Sequence, residues 1–528
     1  MIQMKKKVIL LGIDGGTWRL IDKFIEEGVM PNFSYLLQKG ARGTLISTVP
    51  ALTLPAWTSI FTGVNPGKHG ITDFLIRLNG KFELATSNYR QSESLWKILG
   101  RNGLRSIVVN DPTTYPPENI EGIMTTGLLT PPYSNYANPP EIAQQIDNLV
   151  GGYEPDLPPD YYDLAGTNKE KAYSMLHNFA SKISRVTLHL ARNYEWDLLA
   201  PILTSTDKLQ HFFWDDENYL RRHYIWLDSF LKDILDLIHE HNASLLIVSD
   251  HGFGPGPKAL YINQWLYDIG LQKIKRNILL STLSGIGITR ARLIKILRFL
   301  HSYKIAYWLA QTRIKSLKEV AAFYDKPIDF KTSLAFSESE GIFITENVSS
   351  DDYEKLRDTI ITGLHKLEDH GVKVVDKVYK REETIWGKFV KRAPDLFVIL
   401  HEGYVFRYWS DTVKGSKSNA IGDARALKSG SAESGGHRPE GIFVAYGNNI
   451  SSGVALNDII RTWDIAPTVL HMLGLSIPTN MDGHVIKSIL KDSSLVQTEV
   501  IKPHNESERI RSKVRRLDFS FGTAVRST

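Results

Sequence analysis

Six short apolar runs recur along the chain: VILLGI (8–13), SIVVN (106–110), LLAPIL (198–203), LLIVS (245–249), LFVIL (396–400) and IFVAYG (442–447). Each is continuous rather than alternating. That is the pattern of a strand covered on both faces, and such strands belong mostly to parallel sheets. Between them lie segments with apolar residues at helical spacing. TWRLIDKFIEEG (17–28) ends on Gly28, a natural stop, and PNFSYLLQKG (31–40) has Pro31 in its first turn and Gly40 past its end. ESLWKILGRNG (93–103) and WDIAPTVLHMLG (463–474) read the same way. Strands alternating with helices imply an α/β fold with an open, doubly wound, mainly parallel sheet and helices on both faces.

Two segments break that rhythm. Residues 265–335 are apolar, strongly basic and helical in period. We read them as an inserted helical cap with a solvated basic face, or as a lid that receives an anionic or lipid-like substrate or rests on a membrane surface. Residues 494–528 are polar and basic, as in a surface extension. The start, MIQMKKKVILLGIDGG, has only six apolar residues before Asp14, too short for a signal-peptide core and well suited to a first strand. No run approaches the roughly 18 apolar residues of a membrane span. These features lead us to expect a soluble, cytoplasmic protein. The balance of 63 basic and 58 acidic side chains leaves a net charge of +5, too small over this length to indicate nucleic-acid binding. With no cysteine, disulfides, thiolate metal sites and a cysteine nucleophile are excluded.

In open α/β sheets, ligands gather beyond the carboxyl ends of the strands. Asp14 follows the first run in GIDGG, a sequence that lacks the third glycine of a dinucleotide-binding loop. TSTDKLQHFFW follows LLAPIL and sets Asp207 and His211 four residues apart, on one face of a turn or helix. VSDHGFG puts Asp250 and His251 at another strand end, and ESGGHRPEG puts His437 just before a strand. Three aspartates and three histidines therefore sit at four sheet-edge positions. Carboxylate plus imidazole, without sulfur, suits zinc, manganese or iron. Six side chains exceed the three that hold one open catalytic zinc, so two metals sharing them is the economical reading. Such pairs, about 4 Å apart, stabilise the attacking and leaving oxygens of a phosphoryl displacement.

VPALTLPAWTSIFTGVNPGKHGITDF (49–74) predicts a helix starting near Leu54, with Thr53 at its cap. The Thr53 hydroxyl is either that cap or, beside a metal and at the positive end of a helix dipole, a nucleophile. Thr58 and Ser59 pack or cap locally. Lys68 and His69 read as loop residues.

Taken together, the set resembles the alkaline phosphatase superfamily, in particular its type I phosphodiesterase/nucleotide pyrophosphatase family. The matching pieces are VILLGIDGG, MPNFSYLLQKGA, TLPAWTSIFTGVNPGKHGI, the Asp207/His211 pair, SDHGFG, GGHRPEGIFVAYG and DIAPTVLHMLGLSIPTNMDG. The resemblance implies residues 1–264 and 336–493 as the two parts of one catalytic domain, flanking the 265–335 cap, with 494–528 as a tail. It implies two divalent ions, typically zinc. Asp207, His211 and His437 would hold one; Asp14, Asp250, His251 and the Thr53 oxygen would hold the other. Thr53 matches the family position that attacks phosphorus. Nucleotide-hydrolysing relatives carry phenylalanine where this chain has Leu54, and an asparagine near Phe74, so Asp73 or Phe74 would face the substrate here. TLPAW lacks the nucleophile and arginine of a sulfatase. The function implied is hydrolysis of phosphodiester or pyrophosphate bonds in a small-molecule phosphate ester. Phosphomonoester or phosphonate-ester hydrolysis is the nearest alternative. Transfer of a phospho-alcohol to a lipid or glycan, and a binding protein that has lost turnover, are the others.

Overall fold

All six apolar runs are strands. The computed structural model describes residues 6–78, 81–274, 328–338, 340–407, 420–424 and 433–492. The expected tail and residues 275–327 of the expected cap lie outside the described residues; the cap's flanks meet in an antiparallel bridge between Ile274 and Ile328.

Among the described residues, the main sheet has ten strands. Five run parallel and adjacent: Ser244–Val248, Val8–Ile13, Leu198–Leu203, Ser106–Asp111 and Gly122–Thr126. Alternate residues of Val8–Ile13 enter opposite cores, as a pleat requires. Ile9, Leu11 and Ile13 join one cluster with residues of helices Trp18–Glu26, Pro31–Lys39, Lys169–Asn193 and Glu217–His241. Val8 and Leu10 join the other with residues of helices Thr53–Thr62, Leu95–Arg101 and Ile465–Met472. The sheet is doubly wound, with helices on both faces. Among the described residues, no helix is long and apolar enough to cross a membrane.

Two of the six runs depart from the parallel expectation. Glu440–Tyr446 belongs to the main sheet but runs antiparallel to both its neighbours, Ser244–Val248 and Ala41–Ile46. Leu396–Leu400 belongs to a separate four-stranded antiparallel sheet with Val375–Lys380, Gly341–Ile344 and Ala335–Phe336. Its Leu396, Val398 and Leu400 share a core with Ile360 and Leu364 of helix Ser350–His365, while Phe397 packs with Ile46, Tyr379 and Ile385 on the other side. Two-sided burial makes a run continuously apolar whatever its direction or sheet, so the run alone cannot distinguish these cases.

The reversal of Glu440–Tyr446 matters for the site. Its start lies at the edge where Val8–Ile13, Leu198–Leu203 and Ser244–Val248 end. Ala41–Ile46, antiparallel to it, ends at that edge too and feeds the segment leading to Thr53. A further short strand, Gly435–Arg438, pairs antiparallel with Gly252–Pro255, setting His437 opposite Phe253.

Candidate metal centre

The sheet edge brings all six expected ligand residues together. His211 Nε2 lies 3.0 Å from His437 Nε2 and 3.3 Å from Asp207 Oδ1, and His437 Nε2 lies 3.2 Å from that same oxygen. His251 Nε2 lies 3.2 Å from Asp250 Oδ2 and 3.6 Å from Asp14 Oδ1. It also lies 4.0 Å from Asp207 Oδ1, and its ring stacks on His437 with centroids 3.7 Å apart. His251 thus belongs to two candidate metal-binding clusters at once, one with Asp14 and Asp250, the other with Asp207 and His437.

Local structure aims each group. Asp14 and Asp250 directly follow or nearly follow their strands, and Asp207 and His211 share one face of helix Ser205–Phe213. Two of the three histidines are held at Nδ1 by a hydrogen bond; His211 Nδ1 makes none. His437 Nδ1–H donates to the Ala51 carbonyl (2.9 Å), His251 Nδ1–H to the Gly252 carbonyl (3.0 Å), and His211 Nδ1 lies 3.5 Å from the Glu433 carboxylate. The His437 and His251 rings are thereby fixed in the tautomer that turns the Nε2 lone pair inward. The carboxylates are held likewise. Trp57 Nε1–H donates to Asp14 Oδ2 (3.1 Å) and the Gly15 N–H to Asp250 Oδ1 (3.2 Å). The opposite atoms, Asp14 Oδ1 and Asp250 Oδ2, together with Asp207 Oδ1 and His251 Nε2, are buried without a hydrogen-bond partner.

Buried polar atoms are normally satisfied, so four orphans converging on one place require a partner. Electrostatics says of what sign. Burial, followed by the repulsion of Asp250 and Asp207, pushes the Asp14 carboxyl well above the usual range; burial and then Asp207 do the same to Asp250. Burial and the neighbouring His437 push His251 down. Burial also opposes charge on Asp207, but His211 and His437 outweigh it and hold that carboxyl low. Three carboxylates largely out of water, and two imidazole Nε2 atoms 3.0 Å apart, fit cations bound by nitrogen and oxygen.

Thr53 lies in sequence between Ala51, which contacts His437, and Trp57, which contacts Asp14. The helix Thr53–Thr62 begins one residue earlier than the sequence suggests. Leu52 is the cap, with extended backbone (φ −118°, ψ 144°), and its carbonyl already accepts the Ala56 N–H at 3.1 Å, so the first turn is wound at Thr53. Two residues before Thr53, Ala51 holds His437; one turn after it, on the same helix face, Trp57 holds Asp14. That helix lies tight on the first strand: a Cβ on Gly12 would stand 2.4 Å from the Trp57 ring. Thr58 hydrogen-bonds the Leu54 carbonyl, as expected of a packing residue.

Asp73 is buried, its Oδ1 accepting the Phe74 N–H. Phe74 packs on the apolar cluster of Leu54, Ile71, Ile76 and Ala85, beside Thr53 in sequence. Lys68 and His69 are not loop residues. They end the short helix Pro66–His69, with His69 buried and bonded to the Ser59 hydroxyl (3.0 Å), and Lys68 paired with Asp482 (2.8 Å). The turn winds because Asn65 caps it, accepting the Gly67 N–H. Sequence reasoning passed over Trp57, Gln210 and Glu433. Gln210 ties the Gly15 carbonyl (2.8 Å) to the Tyr224 hydroxyl (3.0 Å). All three lie inside the motifs that drew attention to the ligands, but their type and spacing carry no metal signature.

The family described as type I phosphodiesterase / nucleotide pyrophosphatase matches residues 8–423. No curated protein matches the chain. Among solved structures, human ectonucleotide pyrophosphatase / phosphodiesterase 5 is similar at 15% identity and TM-score 0.52, over 92% of this chain and 100% of that one. Phosphonoacetate hydrolase from Sinorhizobium meliloti 1021, solved with phosphonoacetate, is similar at 14% identity and TM-score 0.55, over 89% and 96%. At these identities the likenesses show the fold.

Proposed function

The chain belongs to the type I phosphodiesterase / nucleotide pyrophosphatase family, a family of phosphoric ester hydrolases, and from that premise we propose that it hydrolyses phosphodiester or pyrophosphate bonds at a two-metal site with Thr53 as nucleophile. The observation that carries this reading is the convergence of four orphaned buried atoms, Asp14 Oδ1, Asp207 Oδ1, Asp250 Oδ2 and His251 Nε2, at one sheet edge. Asp207, His211 and His437 hold one cation; Asp14, Asp250 and His251, with the Thr53 oxygen, hold the other. Nitrogen and oxygen donors without sulfur favour zinc, with manganese or iron as substitutes. Bound there, the cations polarise the phosphoryl oxygen and stabilise charge on the attacking and leaving oxygens.

The chain's own residues do the rest. Thr53 opens a ten-residue helix, whose first-turn N–H groups face the phosphate with the positive end of the dipole. Its Oγ1 gives up its proton and bonds to phosphorus as the bond to the leaving oxygen breaks and that oxygen takes up a proton; the rest of the phosphoryl ester stays on Thr53 until water cleaves the threonine–phosphorus link and restores the hydroxyl. The Ala51 and Trp57 contacts hold the start of the helix against both clusters, so the hydroxyl is positioned before substrate arrives. Phe74, on the apolar cluster that includes Leu54, offers a surface for the non-phosphate part of the substrate, and Asp73 lies next to it.

Turnover of bis-p-nitrophenyl phosphate, p-nitrophenyl phosphate and p-nitrophenyl phenylphosphonate, with added zinc or manganese, tests the reading. The diester is expected to be preferred. Preference for the monoester or the phosphonate shifts the assignment to those reactions, and inertness to all three favours a phospho-alcohol transferase or a binding protein. Thr53→Ala is expected to lower turnover by ~10³-fold or more with metal content retained; survival of most activity rules out the threonine as nucleophile.

A further inference from the structure

Of the three histidines at the centre, two rest their Nδ1 on backbone carbonyls, those of Ala51 and Gly252. His211 differs. Its Nδ1 makes no hydrogen bond to a carbonyl and lies instead 3.5 Å from the carboxylate of Glu433, at ion-pair rather than hydrogen-bond geometry. Glu433 is in turn ion-paired with Arg407, at the end of strand Tyr404–Arg407. Arg407 is itself anchored, its Nη1 donating to the Phe406 carbonyl at 2.8 Å. The segment carrying Glu433 is tied to the same helix through its backbone. The Ser434 N–H donates to the His211 carbonyl at 2.7 Å, and a Cβ on Gly435 would stand 2.5 Å from the Gln210 carbonyl oxygen. Five residues, Glu433 to His437, therefore supply one ligand histidine and the carboxylate behind another.

We propose that Glu433, held by Arg407, is the positioning residue of His211: it accepts the Nδ1 proton and aims Nε2 at the cation position shared with Asp207 and His437. The inference rests on the two-metal reading. A carboxylate behind an imidazole fixes its orientation and raises its strength as a donor, which a backbone carbonyl does less well. The Arg407 guanidinium offsets the cost of keeping that carboxylate charged in a mostly buried place. The two cation positions are consequently unequal: the His211 position has a carboxylate behind it, and the Asp14/Asp250 position rests on the Trp57 indole and backbone groups.

The test is zinc binding to the full chain, in competition with a chromophoric chelator, with no turnover required. The unaltered protein is expected to bind two ions. Glu433→Ala is expected to keep one at full affinity and bind the other about 10–100-fold more weakly. Glu433→Gln, close in shape and still able to accept the Nδ1 proton, is expected to lose only a few-fold by comparison; it carries the test if the alanine variant does not fold. With His211→Ala already in place, Glu433→Ala is expected to add less than about threefold, because the path through the imidazole is gone. Unchanged affinity in Glu433→Ala, or an equal loss with and without His211, overturns the inference. Absence of bound zinc in the unaltered protein overturns the two-metal reading instead, and is seen in that arm alone.

Discussion

Removing the cations tests the metal centre through stability, independently of any substrate. A ligand that binds only the folded state, present at 100 times its dissociation constant, stabilises by about 2.7 kcal/mol, so two positions give about 5.4 kcal/mol. Unfolding entropy of about 2.1 cal/mol/K per residue gives this 528-residue chain about 1.1 kcal/mol/K, so chelation should lower Tm by about 5 °C. The sign of the pH dependence follows from the carboxyls. In the metal-free protein, burial and mutual repulsion raise the Asp14 and Asp250 pKa values, so the folded state holds protons the unfolded chain has released. That contribution is complete below the ordinary carboxylate range and is lost as pH rises above it. Cation binding must expel those protons, so the metal-dependent shift should grow as pH rises above the ordinary carboxylate range. Asp250→Asn relieves the repulsion among three buried carboxylates and removes a ligand. Without metal the variant should be at least as stable as the unaltered protein, and its metal-dependent shift should fall by about half or more. The assay is differential scanning calorimetry of the full chain, in zinc buffer against a chelator. A chelation shift under about 1 °C at pH 8, or an undiminished shift in Asp250→Asn, refutes the reasoning.

Three further outcomes follow from the packing. Gly252→Ala would place a Cβ 1.9 Å from the Glu440 carbonyl oxygen, so the turn after His251 must move; a loss of about 3 kcal/mol in urea unfolding is expected, together with weaker zinc binding. Asp482→Ala removes the acceptor of Asn65 N–H, Asn65 Nδ2, Lys68 Nζ and Trp386 Nε1; urea unfolding should show a loss of about 2–4 kcal/mol, while metal content stays unchanged. His69 is buried, with its pKa lowered to about 3 by burial and then Arg90, so it resists protonation that the unfolded chain accepts below its usual range. Its contribution to stability is present above the unfolded pKa and drains as pH falls toward 3. His69→Gln should therefore flatten the acid limb of a stability–pH curve by up to about 1.4 kcal/mol per pH unit.

The strands were legible because burial on both faces writes a continuous apolar run into five or six residues. The six proposed ligand residues were legible as candidates because each lies near the end or start of such a run, and strand ends are where an α/β sheet exposes backbone and side chains to a ligand. Lys68 and His69 were misplaced because NPGKHG looks like any glycine-rich loop. The Asn65 cap and the buried Ser59 partner, ten residues away, are what wind it.

The amino-acid sequence by itself determined the α/β class, the strand segments, and the inventory of carboxylates, imidazoles and one threonine that the proposed chemistry would use. Only the tertiary structure decided that Leu396–Leu400 leaves the main sheet and that Glu440–Tyr446 reverses within it. It alone decided that His251 stands between two clusters and that Glu433 backs His211. The physical reason is range. Burial periodicity is a property of a few neighbouring residues, whereas strand direction and side-chain partners are settled by contacts between segments hundreds of residues apart, which no local pattern encodes.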